Sequence, residues 1–301
     1  MSSLKSNLYL MRYGLETVIC KKKNPIIGCI ILTDKCNLSC KHCSVKNITG
    51  VIYPYKSIKN EMKMLYEKGI RILMFYGGEP FLWYDNGKGI RDLVIEAKQM
   101  GFFIVNIVTN GTYPLDLPEA DTILVSLDGS RKSHNYIRGN TFDKIMLNIR
   151  NCKSKNICLY MAVNSVNKND IFKVGKIARS EPNIKAVSFN FHTPYPDTKE
   201  LSLTASEKRK CCEMISYMMK KKVPVFNLRS AFPYMISNTF PKPAYQSVVV
   251  ENGRVWTCGR CIDIEGLCEK CGFFFVCEYS LAFSGNIPVI MDMLRTYLKY
   301  I

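Results

Sequence analysis

Nowhere do the 301 residues approach the roughly 18 consecutive apolar residues that span a bilayer. The N-terminal stretch, with Lys5 and Arg12 among scattered apolar residues, lacks both an apolar signal core and a small-residue cleavage site. These absences predict a soluble, cytoplasmic chain without a transmembrane segment. Acidic side chains are also scarce: 25 Asp and Glu against 42 Lys and Arg leave a net charge of +17, a field suited to an anionic partner or substrate. The runs at Lys21–Lys23 and Lys220–Lys222 flank apolar segments and read as solvated loop or helix ends. No RNP-type or helix-turn-helix signature directs the charge at nucleic acid.

Cysteine is not scarce. There are 14, and eight of them fall in two dense clusters, Cys36, Cys40 and Cys43, then Cys258, Cys261, Cys268, Cys271 and Cys277. Disulfide frameworks belong to short secreted chains, whereas clustered cysteines of an intracellular chain hold metal. The other six, Cys20, Cys29, Cys152, Cys158, Cys211 and Cys212, are scattered and read as small buried hydrophobes.

A composition 47% hydrophobic and 22% charged is that of a globular chain with a real core. From residue 28 onward, short β-branched runs alternate with stretches of helical period. Strands are predicted at 28–32, 70–75, 102–108, 122–127, 157–163 and 184–191, and helices at 57–68, 89–100, 142–151, 170–179 and 204–221. That rhythm predicts parallel strands joined by crossovers, an α/β partial (β/α)6 TIM-like barrel. Prolines 224, 233, 241 and 243 then interrupt the periodicity, dividing the chain into residues 1–225, the barrel, and 226–301, a small cysteine-rich C-terminal domain. In such folds ligands bind at the carboxyl ends of the strands. Those ends carry the cysteine loop, Gly77-Gly78-Glu79-Pro80, Thr109-Asn110-Gly111, Ser126-Leu127-Asp128-Gly129 and Asn190-Phe191-His192, and all would face one mouth.

Three thiolates within the eight residues Cys36-Asn37-Leu38-Ser39-Cys40-Lys41-His42-Cys43 suit an iron-sulfur cubane with one differentiated iron, or zinc with an open position. Zinc more often takes two separated pairs, and closely set triplets favour iron and sulfide. In the second cluster two Cys-x-x-Cys pairs lie six residues apart, too close for a zinc ribbon, which predicts one compact site. Iron-sulfur and zinc both remain open there, as does the choice of four ligands among five cysteines. His192 reads equally as a contact at the mouth or as a hydrogen-bonded structural histidine.

The Cys-x3-Cys-x2-Cys spacing, followed at the right interval by Gly77-Gly78-Glu79-Pro80, resembles the signature of radical S-adenosylmethionine (radical SAM) enzymes. The later strand ends agree, and His134-Asn135-Tyr136-Ile137-Arg138-Gly139 is similar to a His-x-x-Ile-Arg-Gly stretch in members that modify peptides. Gly253-x4-Cys258 and Cys268-x2-Cys271-x5-Cys277 resemble the auxiliary-cluster domains called SPASM and twitch. They depart from the full pattern, because no cysteine shortly precedes Gly253 and position 281 is leucine.

The resemblance implies a [4Fe-4S] cluster on Cys36, Cys40 and Cys43 and S-adenosylmethionine at its open iron. It places Gly77, Gly78, Glu79, Pro80, Asn110, Ser126, Asp128 and Arg138 around that cofactor, with Glu79 facing its amino group, and His192 joins them as a cofactor contact by its place at the mouth. An auxiliary [4Fe-4S] cluster is implied at the second site, and an external reductant such as flavodoxin or ferredoxin. The implied reaction is reductive cleavage of S-adenosylmethionine to methionine and a 5′-deoxyadenosyl radical that modifies a peptide or cofactor precursor. Adenosyl transfer to a lipid or phosphorylated intermediate, or a noncatalytic cluster carrier, are the alternatives.

Overall fold

The computed structural model describes residues 3–45 and 48–300. Helix α1 (Ser3–Val18) leads into β1 (Ile27–Ile31), α2 (Tyr55–Glu67), β2 (Ile72–Tyr76), α3 (Ile90–Met100), β3 (Ile104–Thr109) and β4 (Thr122–Ser126). There follow α4 (Arg131–Arg138), α5 (Phe142–Asn151), β5 (Ile157–Val163), α6 (Ile171–Ser180), β6 (Ile184–Phe191) and α7 (Ala205–Lys220). Beyond these lie α8 (Phe232–Ser237), β7 (Ser247–Glu251), β8 (Arg254–Thr257), α9 (Phe274–Phe283) and α10 (Ile287–Tyr300).

All six predicted strands and five predicted helices are present, their ends within two residues of expectation. The strands β1 to β6 are parallel neighbours in chain order, the arrangement of a partial barrel. Sequence reading did not foresee the C-terminal hairpin's place. β7 pairs in parallel with β1, Ile27 opposite Ser247, and β8 turns back antiparallel, giving one eight-stranded sheet ordered β8-β7-β1-β2-β3-β4-β5-β6. Its turn is tied to α2, where Gly253 N–H donates to the Glu61 carboxylate at 2.7 Å.

Side chains alternate with the period of two that strands impose. On β2, β3 and β4 the fully buried Leu73, Phe75, Val105, Ile107, Ile123 and Val125 face the helical shell, which supplies Leu65, Leu93, Val94 and Ile145. The alternate residues line an internal cavity. Helix α1 packs on the foot of β1, with Tyr13 set edge-to-face on Phe283 of α9 at 5.1 Å between centroids. Among the described residues no single helix is long and apolar enough to cross a membrane.

Candidate active site

β1 delivers the cysteine loop to the mouth, and β2 delivers the glycines that hold it there. Gly78 N–H donates to Thr33 O at 2.7 Å and Glu79 N–H to Lys35 O at 2.9 Å. A Cβ on Gly77 would lie 2.3 Å from Thr33 O, and one on Gly78 2.1 Å from Lys35 O. The glycines therefore let two loops close on each other, a packing role beside the ligand approach expected of them. Both also line the cavity, as do Cys36, Cys40 and Cys43.

Glu79 is fully buried and lies outside the lining. Its carboxylate accepts from Phe81 N–H at 3.1 Å, Thr109 Oγ1 at 2.7 Å and Asn110 N–H at 2.8 Å, so it ties the end of β2 to the end of β3. Burial raises its pKa against these three donors. Pro80, buried beside it, opens the short 3-10 turn Pro80–Leu82. Asn110 faces the cavity and donates to Asn37 Oδ1 at 2.9 Å, and its Nδ2 stands 3.7 Å from Cys36 Sγ.

Asp128, also fully buried, stands behind the wall. Its carboxylate accepts from Arg138 Nε at 2.5 Å and from Ala162 N–H at 2.8 Å. Arg138 spans the gap to the cysteine loop: Nη1 lies 3.8 Å from Cys40 Sγ and Nη2 3.3 Å from His42 Nε2. Arg138 is thus paired within the protein, and its cation faces the loop thiols. Burial would raise the Asp128 pKa, but the Arg138 charge and then His42 hold it below the usual carboxylate value. Burial pushes His42 down to about 4, so its ring is neutral near pH 7. Its Nδ1 is buried with no partner. Cys36 is raised by burial, and Cys40 is pushed up to about 11 by burial against the opposing Arg138 charge.

Ser126 and His192 reach the cavity from β4 and the loop after β6. His192 Nε2–H is held by Thr198 O at 3.1 Å, and its ring meets His42 edge-on at 6.3 Å between centroids. It is therefore both a hydrogen-bonded histidine and part of the wall.

The five C-terminal cysteines separate into four and one. Cys258, Cys261, Cys268 and Cys271 line the same cavity as the cysteine loop. Cys258 follows β8 with a left-handed φ of 71°, and Cys271 is drawn to the end of β6 by its neighbour Gly272. Gly272 O accepts from Phe191 N–H at 2.9 Å, and its N–H donates to Thr193 Oγ1 at 2.9 Å. Cys277 lies outside the lining, fully buried in α9, with Sγ 3.7 Å from Ala231 O. Of the six scattered cysteines, Cys29, Cys152, Cys158, Cys211 and Cys212 are buried and Cys20 is exposed.

Among the described residues no three His, Cys, Asp or Glu side chains gather closely enough to hold a single metal ion.

Sequence reading missed how these groups are coupled. The Glu79–Thr109–Asn110 contacts and the Asp128–Arg138–His42–Cys40 chain join different strand ends, and the only local signal was that each end carries polar residues. His134 was noted only as part of a motif. It holds Asp128 in place, Nδ1 accepting from the Asp128 N–H at 3.1 Å.

A partial barrel with a three-thiol loop after β1 and four further thiols lining the same cavity defines an α/β barrel protein built for iron-sulfur chemistry. Residues 30–178 match the Radical SAM superfamily, and the chain belongs to it. The 7,8-dihydro-6-hydroxymethylpterin dimethyltransferase of Methanocaldococcus jannaschii is 26% identical over 287 residues, covering 82% of this chain and 56% of its own length. The sporulation killing factor maturation protein SkfB of Bacillus subtilis is 27% identical over 179 residues, covering 55% of this chain and 42% of its own length. The chain spans about half the length of the curated relatives it matches.

Among solved structures, Streptococcus suis SuiB bound to S-adenosylmethionine superposes with a TM-score of 0.66 at 13% identity, over 95% of this chain and 72% of that one. SuiB bound to its precursor peptide SuiA gives 0.64 at 16% identity, over 96% and 72%. At such identity the likeness is one of fold.

The superfamily uses a [4Fe-4S] cluster and S-adenosylmethionine. The residues present fit that pair. Three thiols face a cavity of about 1330 Å³, beside glycines that admit no side chain and a buried His42 Nδ1 without a partner.

Proposed function

We propose that this chain is a radical SAM enzyme that abstracts hydrogen from a substrate held between two iron-sulfur sites. One observation carries the reading: the cysteine loop, the glycine loop and four of the C-terminal cysteines converge on a single cavity. When bound, the cluster and S-adenosylmethionine supply one-electron reductive cleavage to methionine and a 5′-deoxyadenosyl radical.

The chain's own residues position that chemistry. Cys36, Cys40 and Cys43 would hold the cluster, three thiolates leaving one iron for S-adenosylmethionine. Gly77, Gly78, Asn110, Ser126 and His192 form the walls around S-adenosylmethionine, while Glu79 and Asp128 fix those walls from behind. Arg138 sets a permanent cation against Cys40, favouring the thiolate. Cys258, Cys261, Cys268 and Cys271 hold an auxiliary [4Fe-4S] cluster in the 226–301 region, with electron relay as its role. The names of the pterin dimethyltransferase, of SkfB and of peptide-bound SuiB support a peptide or cofactor precursor as substrate.

Anaerobic reconstitution with iron and sulfide counts and product analysis tests the reading. Wild type is expected to hold about eight irons and to form 5′-deoxyadenosine under reduction, and the variant with Cys36, Cys40 and Cys43 all changed to alanine to hold about four and form none. Metal in both proteins with S-adenosylmethionine cleavage in neither would replace the enzyme with a cluster carrier.

A further inference from the structure

A closed eight-stranded barrel fills its bore with layers of bulky inward side chains. This barrel does not. Among its inward positions are Cys29, Asn106, Cys158, Ala162, Ala186 and Ser188, all too small to meet across the centre. The result is one continuous cavity of about 1330 Å³, beyond the roughly 300–1,000 Å³ of an ordinary small-molecule site. It reaches from the cysteine loop at the mouth down to Ile104, the first residue of β3. Along β3 alone, Ile104 to Val108 gives a depth of about 13 Å at 3.3 Å per residue.

The chemistry changes with depth. Among the charged residues of the lining, Arg138 and Arg260 belong to the mouth, and Asp121 and Lys185 to the foot. The middle is walled by Met74, Leu124, Phe226, Val249 and Trp256, and the charges that touch this wall, Arg254 and Asp263 at Trp256, are paired with each other. One polar atom there is left over: Asn106 Oδ1 is buried without a hydrogen-bond partner. A buried acceptor without a donor is costly, so it marks where a ligand donor belongs.

We propose that the bore is the substrate site. Its occupant is a small molecule whose long apolar body descends between Ala186 and Met74 and gives one uncharged N–H or O–H to Asn106 Oδ1. This rests on the radical SAM reading in that the reacting end then lies at the mouth, below the cysteine loop. A phosphate or carboxylate in mid-bore would be stripped of water with no unpaired counter-charge, since Arg254 beside Trp256 is already held by Asp263. A peptide backbone there would leave its own N–H and C=O groups without partners. The basic residues Arg138 and Arg260 at the mouth are already paired, with Asp128 and Glu251, so the bore selects for the apolar body.

N-phenyl-1-naphthylamine, apolar with a single N–H, serves as the probe, its fluorescence titrated on the reconstituted protein. We expect binding to wild type and at least a tenfold loss of affinity in Ala186→Trp. Ala186→Leu, a smaller intrusion, is expected to give a several-fold loss should the tryptophan variant fail to fold. Affinity for S-adenosylmethionine and its slow cleavage without substrate should be unchanged in both variants. Absence of probe binding, equal binding by wild type and a folded variant, or displacement of the probe by a neutral peptide of leucine and alanine would overturn the proposal. Probe binding lost in the variants, in a protein that never cleaves S-adenosylmethionine, would support the bore and reject the enzyme.

Discussion

At the scale of single residues, the site rests on buried polar groups that stabilise the fold only in one protonation state. His134 has no exposed surface, its Nδ1 accepts from Asp128 N–H, and its Nε2–H points at Thr141 Oγ1, 3.0 Å away. Burial first, then the Arg138 charge, pushes its pKa from 6.5 down to about 4. A histidine whose folded pKa is depressed contributes stability above the unfolded value and loses it as pH falls through the folded one. The unfolding free energy should therefore drop between pH 6.5 and 4, by on the order of 3 kcal/mol. Urea unfolding at pH 7.5 and pH 5 checks this: His134→Gln should be weaker than wild type at pH 7.5 yet lose less on acidification. Equal losses would show that His134 does not titrate this way. The cysteine spacing and the glycine motif were legible because each is contiguous. The partners of Glu79, Asp128 and Arg138 were not, since they stand 30, 34 and 98 positions away and only the folded strand ends bring them together.

Between elements, two glycines set the distances. Gly78 brings the end of β2 against the cysteine loop, and Gly272 brings the second thiol set against the end of β6, where a Cβ would lie 2.2 Å from Phe191 O. In both cases the obstructing atom is backbone, which cannot rotate away. Gly78→Ala and Gly272→Ala should each cost about 1–3 kcal/mol by overpacking. Each should also shed a different half of the iron, the first losing S-adenosylmethionine cleavage with its cluster, the second keeping it. Iron counts and thermal melts read both effects, and full iron with normal melting in both variants would mean that the backbones yield freely. The strands were predictable because β-branched runs bounded by turn residues write themselves locally. Helix α4 was not, for Arg131–Arg138 is only eight residues long and buries only His134 and Ile137, too few apolar side chains to mark a face. What holds it in place is the Arg138–Asp128 pair at its end.

For the molecule as a whole, the barrel is an open sheet whose two edges are β8 and β6. The segment between Cys258 and Gly272 runs from one edge to the other, from the foot of β7, where Cys258 lies level with Ser247 and Ile27, to the mouth end of β6. At the β8 end Cys258 N–H donates to Ser247 O at 2.8 Å, and at the β6 end Phe191 N–H donates to Gly272 O at 2.9 Å. A cluster held by Cys258, Cys261, Cys268 and Cys271 would staple the two edges together, so its loss should loosen the closure more than it loosens the sheet. Hydrogen exchange separates the two. Cys261→Ser with Cys268→Ser is expected to speed exchange of the Phe191, Cys258 and Gly272 amides at least tenfold, about 1.4 kcal/mol of lost local protection. Amides of β2 and β3, at the centre of the sheet, should stay as slow as in wild type. Cys277→Ser, which changes the thiol outside the cavity, should leave both groups of amides and the iron count unmoved. Faster exchange throughout the sheet would instead make the second site part of the global fold. No change at the two edges would leave it a relay with no hand in closing the barrel.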